Sequence, residues 1–177
     1  MSTIALLFVV FLMACNEEEP DLIHQSQINQ WQFLDYEHGL PSNHVNEIFE
    51  DSQGRLWFGT NRGLSMLRDK QLTTYTGGHG LLDNNVFAIT EDRDGNIWVG
   101  TPNGVNIFVD NQWQYFPFFY QAPVYDIIAL QDGEGMLIGT GGFGVYKYDY
   151  ETSTFSRFNV IRQCRACNTI NSLFQAK

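Results

Sequence analysis

Short apolar runs separated by turn residues recur along most of the chain. VNEIFED (45–51) is apolar at three positions, RLWFGT (55–60) is continuously apolar, and LSMLR (64–68) and QLTTYT (71–76) follow closely. Short runs bounded by Gly, Asn and Asp indicate β-strands, and a continuous apolar run indicates a strand covered on both faces. No segment of 31–177 has a sustained helical period. The pattern therefore predicts an all-β fold.

The four runs recur together as a unit. GRLWFGTNRG (54–63) is repeated as GNIWVGTPNG (95–104), so that Gly54 and Gly95 take the same place in successive units. A third copy (125–149) contains LIGT (137–140), and NTINSLFQ (168–175) resembles the opening strand of a fourth. A fixed period with four short strands per unit is typical of a β-propeller. We therefore predict propeller blades of four antiparallel strands. The predicted units are about 31–71, 72–112, 113–154 and, in part, 155–177.

The repeated run also predicts how the blades pack. Trp57 and Trp98 occupy equivalent positions, and we interpret them as packing between blades. A glycine follows each of them in a central strand, where glycine normally weakens pairing, so we expect a close approach of the backbone there. Asp94-Gly95 and Asn103-Gly104 suit tight hairpins in which both central residues have positive φ.

The segment GLPSNHVNEIFEDSQGRLWFGTNRGL (39–64) resembles the two-component regulator propeller repeat, which runs G-L-x-x-N-x-V, a spacer, E-D-x-x-G-x-L-W-x-G-T, and G-L. The third unit departs from it, with Leu137 at the usual Trp position and FYQAPVYD (119–126) in place of the opening motif. The resemblance covers 31–177 and implies a seven-bladed propeller, of which this chain supplies three units and one opening strand. It is therefore an incomplete propeller, and further repeats or a second copy are expected to complete the ring.

The resemblance also implies a function. Propellers of this family form periplasmic sensor regions of hybrid two-component systems that respond to glycans, so we expect a sensing or ligand-binding module with no output domain in this chain. The expected partner is an oligosaccharide or another small ligand. Two alternatives stay open, namely an enzymatic propeller of the streptogramin-lyase type, which uses His and a divalent metal, and a truncated, non-functional remnant.

The sequence contains little that predicts catalysis. His38 and His79 both stand in an HGL motif at the same repeat position, which favours a shared loop role over a unique base. The segment 92–96 is similar to a calcium loop but lacks the acidic residue at its far end. No nucleophile-elbow pattern is present. We therefore predict no enzymatic activity, no cofactor and no metal.

One loop stands out as a candidate ligand site. In YFPFFYQAPVY (115–125) the third unit abandons the repeat pattern for an aromatic, Pro-bearing segment. Clusters of exposed aromatic side chains often mark binding sites. We therefore predict Tyr120 and Tyr125 as stacking surfaces for the ligand.

The N-terminus predicts export. IALLFVVFLMA (4–14) is too short to span a bilayer and reads as the apolar region of a secretory signal. It ends at Cys15 within a sequence similar to a bacterial lipobox, so we predict a lipoprotein-like signal at 1–15, lipidation of Cys15 and an acidic tether at 16–30. An ordinary cleaved signal with an incidental cysteine is the alternative. The prediction places the chain in the cell envelope, attached to the membrane only through a lipid anchor, on the periplasmic side or at the cell surface.

Charge and the remaining cysteines restrict the possibilities further. The formal net charge of −10 argues against nucleic acid as a partner, because phosphate binding requires clustered Lys and Arg. Cys164 and Cys167 form a C-x-x-C pair, which provides too few ligands for a structural zinc. In an oxidising compartment they are expected either to form a disulfide or to stay as free thiols.

The lipidation prediction can be checked directly. Cys15→Ser removes the acceptor thiol, so the variant is expected to leave the membrane fraction or to stay unprocessed. Cys164→Ser is the control, since it removes a cysteine far from the signal. Membrane fractionation and electrophoretic mobility are the measurements, and unchanged behaviour of the Cys15→Ser variant would argue against lipidation.

Overall fold

Each repeated unit folds as one antiparallel sheet whose four strands follow one another in chain order. The computed structural model describes residues 34–131, 133–158 and 173. Within these residues there are three four-stranded sheets. The first contains β1 (Val45–Glu50), β2 (Leu56–Thr60), β3 (Gly63–Arg68) and β4 (Gln71–Tyr75). The second contains β5 (Ala88–Glu91), β6 (Ile97–Thr101), β7 (Gly104–Val109) and β8 (Gln112–Tyr115), and the third β9 (Val124–Ala129), β10 (Gly135–Thr140), β11 (Gly144–Asp149) and β12 (Thr154–Arg157). The predicted all-β fold with blades of four antiparallel strands is confirmed.

Each of the first three predicted units ends where the fourth strand of a sheet begins. The predicted limits at 71, 112 and 154 are the first residues of β4, β8 and β12. Residues 31–33 of the first predicted unit lie outside the described residues, and Asp35 and Tyr36 form a bend and a turn. Apart from Leu173, the partial fourth unit beyond Phe158 also lies outside them. In the described ranges, the helical segments are two single 3-10 turns, Gly77–His79 and Pro117–Phe119.

The two repeated tryptophans fill the spaces between adjacent sheets. Trp57 is fully buried in a core cluster that also contains Ile89, Ile97 and Phe108 of the second sheet. Trp98 lies in a second cluster with Met136 and other buried side chains of the third sheet. Burying a side chain of this size contributes a few kcal/mol of hydrophobic stabilisation. The interpretation of these residues as packing between blades is therefore correct.

A carboxylate holds each tryptophan in place. Asp51, in the turn before β2, accepts hydrogen bonds from Trp57 Nε1 at 2.7 Å and from Arg55 Nε at 2.5 Å through the same oxygen. Asp92 accepts from Trp98 Nε1 at 2.8 Å in the second sheet. Because a buried indole N–H without a partner is costly, the E-D and L-W parts of the repeat motif depend on each other.

The same carboxylates shape the hairpin turns. The other oxygen of Asp51 accepts the backbone N–H groups of Gln53 and Arg55, both at 2.9 Å. Asp92 accepts those of Asp94 and Asn96 in the same way, at 3.0 and 2.9 Å. The segment 92–96 is thus a carboxylate-capped turn, and its first acidic side chain is occupied by protein donors.

The glycine after each tryptophan makes room for the next blade. A Cβ placed on Gly59 would lie 2.7 Å from Val86 Cγ1, and one on Gly100 would lie 2.9 Å from the carbonyl oxygen of Val124. Val86 directly precedes the second sheet and Val124 begins the third. The backbone N–H of Val86 also donates to the Thr60 carbonyl at 2.9 Å. The expected close approach is therefore made by the first strand of the following sheet or by the segment just before it.

The threonine of the G-T pair closes the next turn. Thr60 Oγ1 donates to the Gly63 carbonyl at 2.8 Å, and Thr101 Oγ1 donates to that of Gly104 at 3.0 Å. Thr140 Oγ1 makes the corresponding bond at 2.7 Å, although its acceptor is one residue further along the chain. The third hairpin therefore contains an extra residue between the same two hydrogen-bonding groups.

The prediction of hairpins with two positive-φ residues was correct in type and wrong in position. Asp94 and Asn103 do not have positive φ, although Gly95 and Gly104 do. The turns with two consecutive positive φ values are Asp69-Lys70 and Asp110-Asn111, which join β3 to β4 and β7 to β8. These turns fit the twist of a two-residue hairpin. The Asp-Gly segment differs because the Asp92 carboxylate holds it in a longer turn.

The bonds at Asp51 also determine how this carboxyl titrates. Burial acts to raise its pKa, but hydrogen bonds from Trp57 and Arg55 and the charge of Arg55 outweigh burial and hold the pKa below 3.8, its ordinary value. A carboxyl group whose pKa is lowered in the folded state stabilises the fold at pH values above its unfolded-state pKa. That contribution is lost as the pH falls through the folded-state value.

We predict that Asp51→Asn lowers the free energy of unfolding by about 1–3 kcal/mol at neutral pH. The asparagine carries an NH₂ group in place of one carboxylate oxygen, so a donor then faces the N–H groups of Arg55 and Trp57 or those of the turn. The difference from the native chain is expected to shrink as the pH falls below 3.8. Glu50→Gln is the control, since Glu50 is an exposed neighbour and its substitution is expected to stay within about 0.5 kcal/mol. Denaturant melts across this pH range provide the measurement, and equal effects of the two variants would contradict the prediction.

Candidate functional site

An exposed aromatic cluster lies where the loop between the second and third sheets meets a hairpin of the third. Tyr115, Phe118, Tyr120 and Phe143 each expose between 50% and 59% of their surface. Large aromatic side chains are normally buried, so a local group of exposed ones is a candidate binding surface. This surface includes Tyr120, one of the two tyrosines predicted from sequence.

These side chains surround a shallow cavity of about 220 Å³, which we call the aromatic groove. Its lining combines aromatic rings with one amide side chain. The groove is lined by Phe118, Phe119, Tyr120, Gln121, Ala122, Phe143 and Tyr146. Pockets that enclose a drug-sized ligand have about 300–1,000 Å³, so this groove has room for one ring of a larger ligand.

The loop forms the groove because consecutive residues of a tight turn point in different directions. Pro117 begins the 3-10 turn, where its missing N–H leaves no bond unmade. Phe119 is 1% exposed and anchors the turn in the core between the second and third sheets. Its neighbours Phe118 and Tyr120 are thereby held at the surface. The anchored turn gives the exposed rings a fixed base.

The loop of the third unit contains a residue with left-handed backbone geometry. Gly80 directly follows the 3-10 turn of the second unit and has a φ value of 105°, whereas in the third unit Tyr120 follows the turn with a φ value of −59° and the next residue, Gln121, has a φ value of 63°. A non-glycine residue in this left-handed region costs about 1–3 kcal/mol. The backbone N–H of Gln121 donates to the Asn103 carbonyl at 2.9 Å, which helps to hold this conformation. The strained residue supplies the amide side chain of the groove.

Ring contacts fix the walls of the groove. The Phe118 ring stacks on Phe155 of β12, with centroids 5.4 Å apart and planes 10° from parallel. It also meets Tyr146 of β11 edge-on at 5.2 Å. Tyr115 and Tyr120 lie 6.4 Å apart. Interlocked rings lose few rotamers on binding, so they form a preorganised stacking surface.

Tyr125 occupies a different environment from Tyr120. It lies on β9, half-buried, with its ring centroid 5.2 Å from that of Phe87. A Cβ on Gly141 would lie 2.8 Å from the Tyr125 ring. Tyr125 does not line the aromatic groove, so the structure separates the two tyrosines that the sequence suggested together.

The negative charge of a carboxylate on β9 acts on a carboxyl group on β1. Burial, together with the negative charge of Asp126 on β9, raises the pKa of Glu47 on β1 above its ordinary value. Asp126 also accepts a hydrogen bond from the backbone N–H of Leu173. In the part of the chain that the structure describes, no three His, Cys, Asp or Glu side chains form a group that could hold a metal ion.

The remaining predicted residues have simple placements. His38 Nδ1 lies 2.7 Å from Asp35 Oδ1, and His79 Nδ1 accepts the backbone N–H of Thr76 at 3.0 Å. Each imidazole therefore bonds within its own loop. Cys15, Cys164 and Cys167 lie outside the described residues, so lipidation and the disulfide stay predictions.

Sequence reasoning missed part of the groove. Phe143 and Tyr146 come from the β10–β11 hairpin and its outgoing strand, which are distant in sequence from the aromatic loop. The signal was present in GTGGFG (139–144), where this hairpin is one residue longer than in the other units. The longer connection contains Phe143.

Two segments of the chain match a known family model. Residues 39–62 and 80–103 match the model of the two component regulator propeller family. These segments run from the G-L loop through β1–β2 and β5–β6, and they contain both Asp–Trp pairs. No curated protein matches the sequence.

Solved structures have the same architecture. The extracellular domain of a putative hybrid two component system from B. thetaiotaomicron is 26% identical, with a TM-score of 0.61 over 77% of this chain and 18% of that one. The extracellular domain of a putative one component system from the same organism is 23% identical, with a TM-score of 0.58 over 64% and 16%. PorZ, a surface component of the type-IX secretion system of Porphyromonas gingivalis, is 16% identical, with a TM-score of 0.51 over 75% and 23%.

The chain thus spans less than a quarter of the length of each of these proteins.

Within the described ranges, no helix has the length and apolar character needed to cross a bilayer. The family match covers the repeat motif in two successive sheets, and the structural match covers the blades that these motifs build. The two segments 39–62 and 80–103 therefore match the two component regulator propeller model, and the chain folds as blades of a β-propeller.

Proposed function

We propose that this chain is an extracytoplasmic sensing module whose aromatic groove binds one sugar ring of an oligosaccharide. The exposed, preorganised ring cluster around Tyr120 carries the proposal. The family match and the resemblance to the extracellular domain of a putative hybrid two component system support the location and the sensing role.

The chemistry of the groove fits a sugar. One face of a pyranose is made of C–H groups and packs on aromatic rings, while its hydroxyl groups require hydrogen-bonding partners. Phe118, Tyr120 and Phe143 supply the rings, and the Gln121 amide supplies both a donor and an acceptor. Among the described residues, no Lys, Arg, Asp or Glu lines the groove, which favours a neutral ligand.

The proposal includes attachment to the cell envelope through a lipid on Cys15. It excludes catalysis by this chain. The enzymatic alternative needs a histidine beside a metal, whereas His38 and His79 are each hydrogen-bonded within separate loops. The sensing function is therefore favoured over the enzymatic one.

We predict that Tyr120→Ala weakens binding of the recognised glycan about fivefold to tenfold, since a ring-stacking contact contributes about 1 kcal/mol. Tyr36→Ala is the matched control, because Tyr36 is exposed to 63% and does not line the groove. A glycan array identifies the ligand, and calorimetric titration measures the two variants. Absence of any bound glycan, or equal weakening by both variants, would overturn the proposal.

The proposal also includes a partner for the open face of the first sheet. Ile48, Ile89 and Ile127 occupy equivalent positions on β1, β5 and β9. Ile89 and Ile127 are 5% and 3% exposed because each packs against the preceding sheet, whereas Ile48 is 61% exposed. We propose that a second copy of the chain covers this face, in continuity with the interfaces between the other sheets.

Ile48→Asp is expected to reduce self-association, because a carboxylate on this face opposes burial. The folded chain itself is expected to keep its stability, since Ile48 is already exposed. Gln71→Asp adds a charge on the outer strand β4 and serves as the control. Sedimentation velocity is the measurement. A monomeric native chain, or identical association of the Ile48→Asp variant, would argue against the second copy.

A further inference from the structure

One wall of the aromatic groove comes from a hairpin whose sequence gives it little rigidity. Phe143 lies in the connection between β10 and β11, lines the groove and exposes 50% of its surface. A glycine stands on each side of it, and Gly142 and Gly144 have φ values of 101° and 83°. Because glycine has more backbone freedom than any other residue, the hairpin sequence alone does not fix the direction of the Phe143 ring.

The corresponding hairpins of the first and second sheets are held by a bond that the third does not have. The Thr60 hydroxyl accepts the backbone N–H of Arg62 at 3.0 Å, and the second sheet repeats this bond at 3.2 Å. Among the described residues, the hydroxyl of Thr140 bonds to the Gly144 carbonyl and accepts no such N–H. The longer third hairpin is therefore closed at its base, while its tip lacks the usual internal bond.

Arg157 supplies a bond to this tip from the outer strand β12. Its Nη2 donates to the Phe143 carbonyl at 3.0 Å. The guanidinium also lies beside the hairpin, since a Cβ placed on Gly144 would be 4.0 Å from its Nε and Nη2. Arg157 pairs in register with Tyr146, which is another residue of the groove lining. The bond thus ties the tip of the hairpin to the strand that borders the groove.

The other two sheets have no cation at this place. Thr74 and Tyr115 occupy the position of Arg157 in the first and second sheets, where they pair with Ser65 and Asn106. Arginine has a long side chain that ends in a planar group with five N–H donors, so it can reach a carbonyl on the neighbouring hairpin. The longer hairpin and the arginine that bonds to it occur together in the third sheet.

We propose that Arg157 is a positioning residue for the aromatic groove and holds the hairpin so that the Phe143 ring faces the ligand. The inference rests on the function proposed for the groove. Arg157 does not line the cavity, so it acts through the backbone of Phe143 and not by contact with the ligand. A ring that is already in place loses less conformational freedom when the ligand binds, and the bond therefore strengthens binding.

The position of the ring can be observed without any ligand. The full chain is prepared with 4-trifluoromethylphenylalanine at position 143, which gives a single ¹⁹F resonance. With Arg157 present, this resonance is expected to lie apart from that of the urea-unfolded chain. In Arg157→Ala it is expected to move towards the unfolded value, because the tip is no longer held. Arg157→Lys keeps a charged donor on a long side chain and is expected to give an intermediate shift.

A second measurement tests the effect on binding. Maltotriose, cellotriose and triacetylchitotriose are titrated calorimetrically into each variant. For any of these that binds, Arg157→Ala is expected to raise the Kd about threefold and Arg157→Lys to raise it less, as the loss of one exposed hydrogen bond implies. Arg68→Ala is the matched control, since Arg68 is an exposed arginine of β3 that does not line the groove. This control is expected to change neither the Kd nor the ¹⁹F resonance.

The outcomes separate this proposal from the one for the groove. A shifted ¹⁹F resonance and weaker binding in Arg157→Ala, with an unchanged denaturation midpoint, support the positioning role. An unchanged resonance or an unchanged Kd overturns it, and so does a lowered denaturation midpoint, which would indicate a general structural role. If neither these trisaccharides nor the glycan array shows binding to the native chain, the proposed function fails. The ¹⁹F resonance then still supports or overturns the role of Arg157 in holding Phe143.

Discussion

The interface between adjacent sheets depends on one buried interaction, the indole of a tryptophan held by the carboxylate of an aspartate. Trp57 and Trp98 fill the space between sheets, where an unpaired N–H would be costly. Asp51 and Asp92 remove that cost and, with their other oxygen, fix the turn before the strand that holds the tryptophan. A single carboxylate thereby joins local turn geometry to long-range packing, which explains why its spacing from the tryptophan is the same in both units.

This interface fixes the positions of the loops. Each sheet is locked to the next by the tryptophan and by the close approach at Gly59 or Gly100, two residues further along the same strand. The connections between sheets have little freedom as a result. The 3-10 turn at 117–119 starts from such a fixed point, and the buried Phe119 ties it to the core. The aromatic groove therefore rests on rigid elements, as a preorganised binding surface requires.

The candidate sites lie where the repeat departs from its own pattern. Gln121 is a non-glycine residue at positive φ, and Phe143 is in the connection that makes one hairpin longer. Trp113 stands where the neighbouring sheets have Leu or Phe, and its buried indole N–H has no hydrogen-bond partner among the described residues. A repeat constrained by interface packing tolerates such changes at loops and outer strands, because they do not disturb the Asp–Trp pairs. Binding features can accumulate there without loss of the fold.

The sequence alone determined the sheets and their interfaces. Strand period and turn residues are local properties, and the regular repeat spacing shows the same pattern in more than one unit. It also indicated Tyr120 as a ligand candidate, because an aromatic loop interrupted the pattern. Only the tertiary structure assigned Tyr125 to a contact with Phe87 and joined Phe143 and Tyr146 to the groove, since these depend on which strands and hairpins lie side by side. The two-residue hairpins at Asp69-Lys70 and Asp110-Asn111 also needed the structure. Their backbone follows strand pairing, whereas the Asp-Gly turn that looked more suitable is held by the Asp92 carboxylate in another shape.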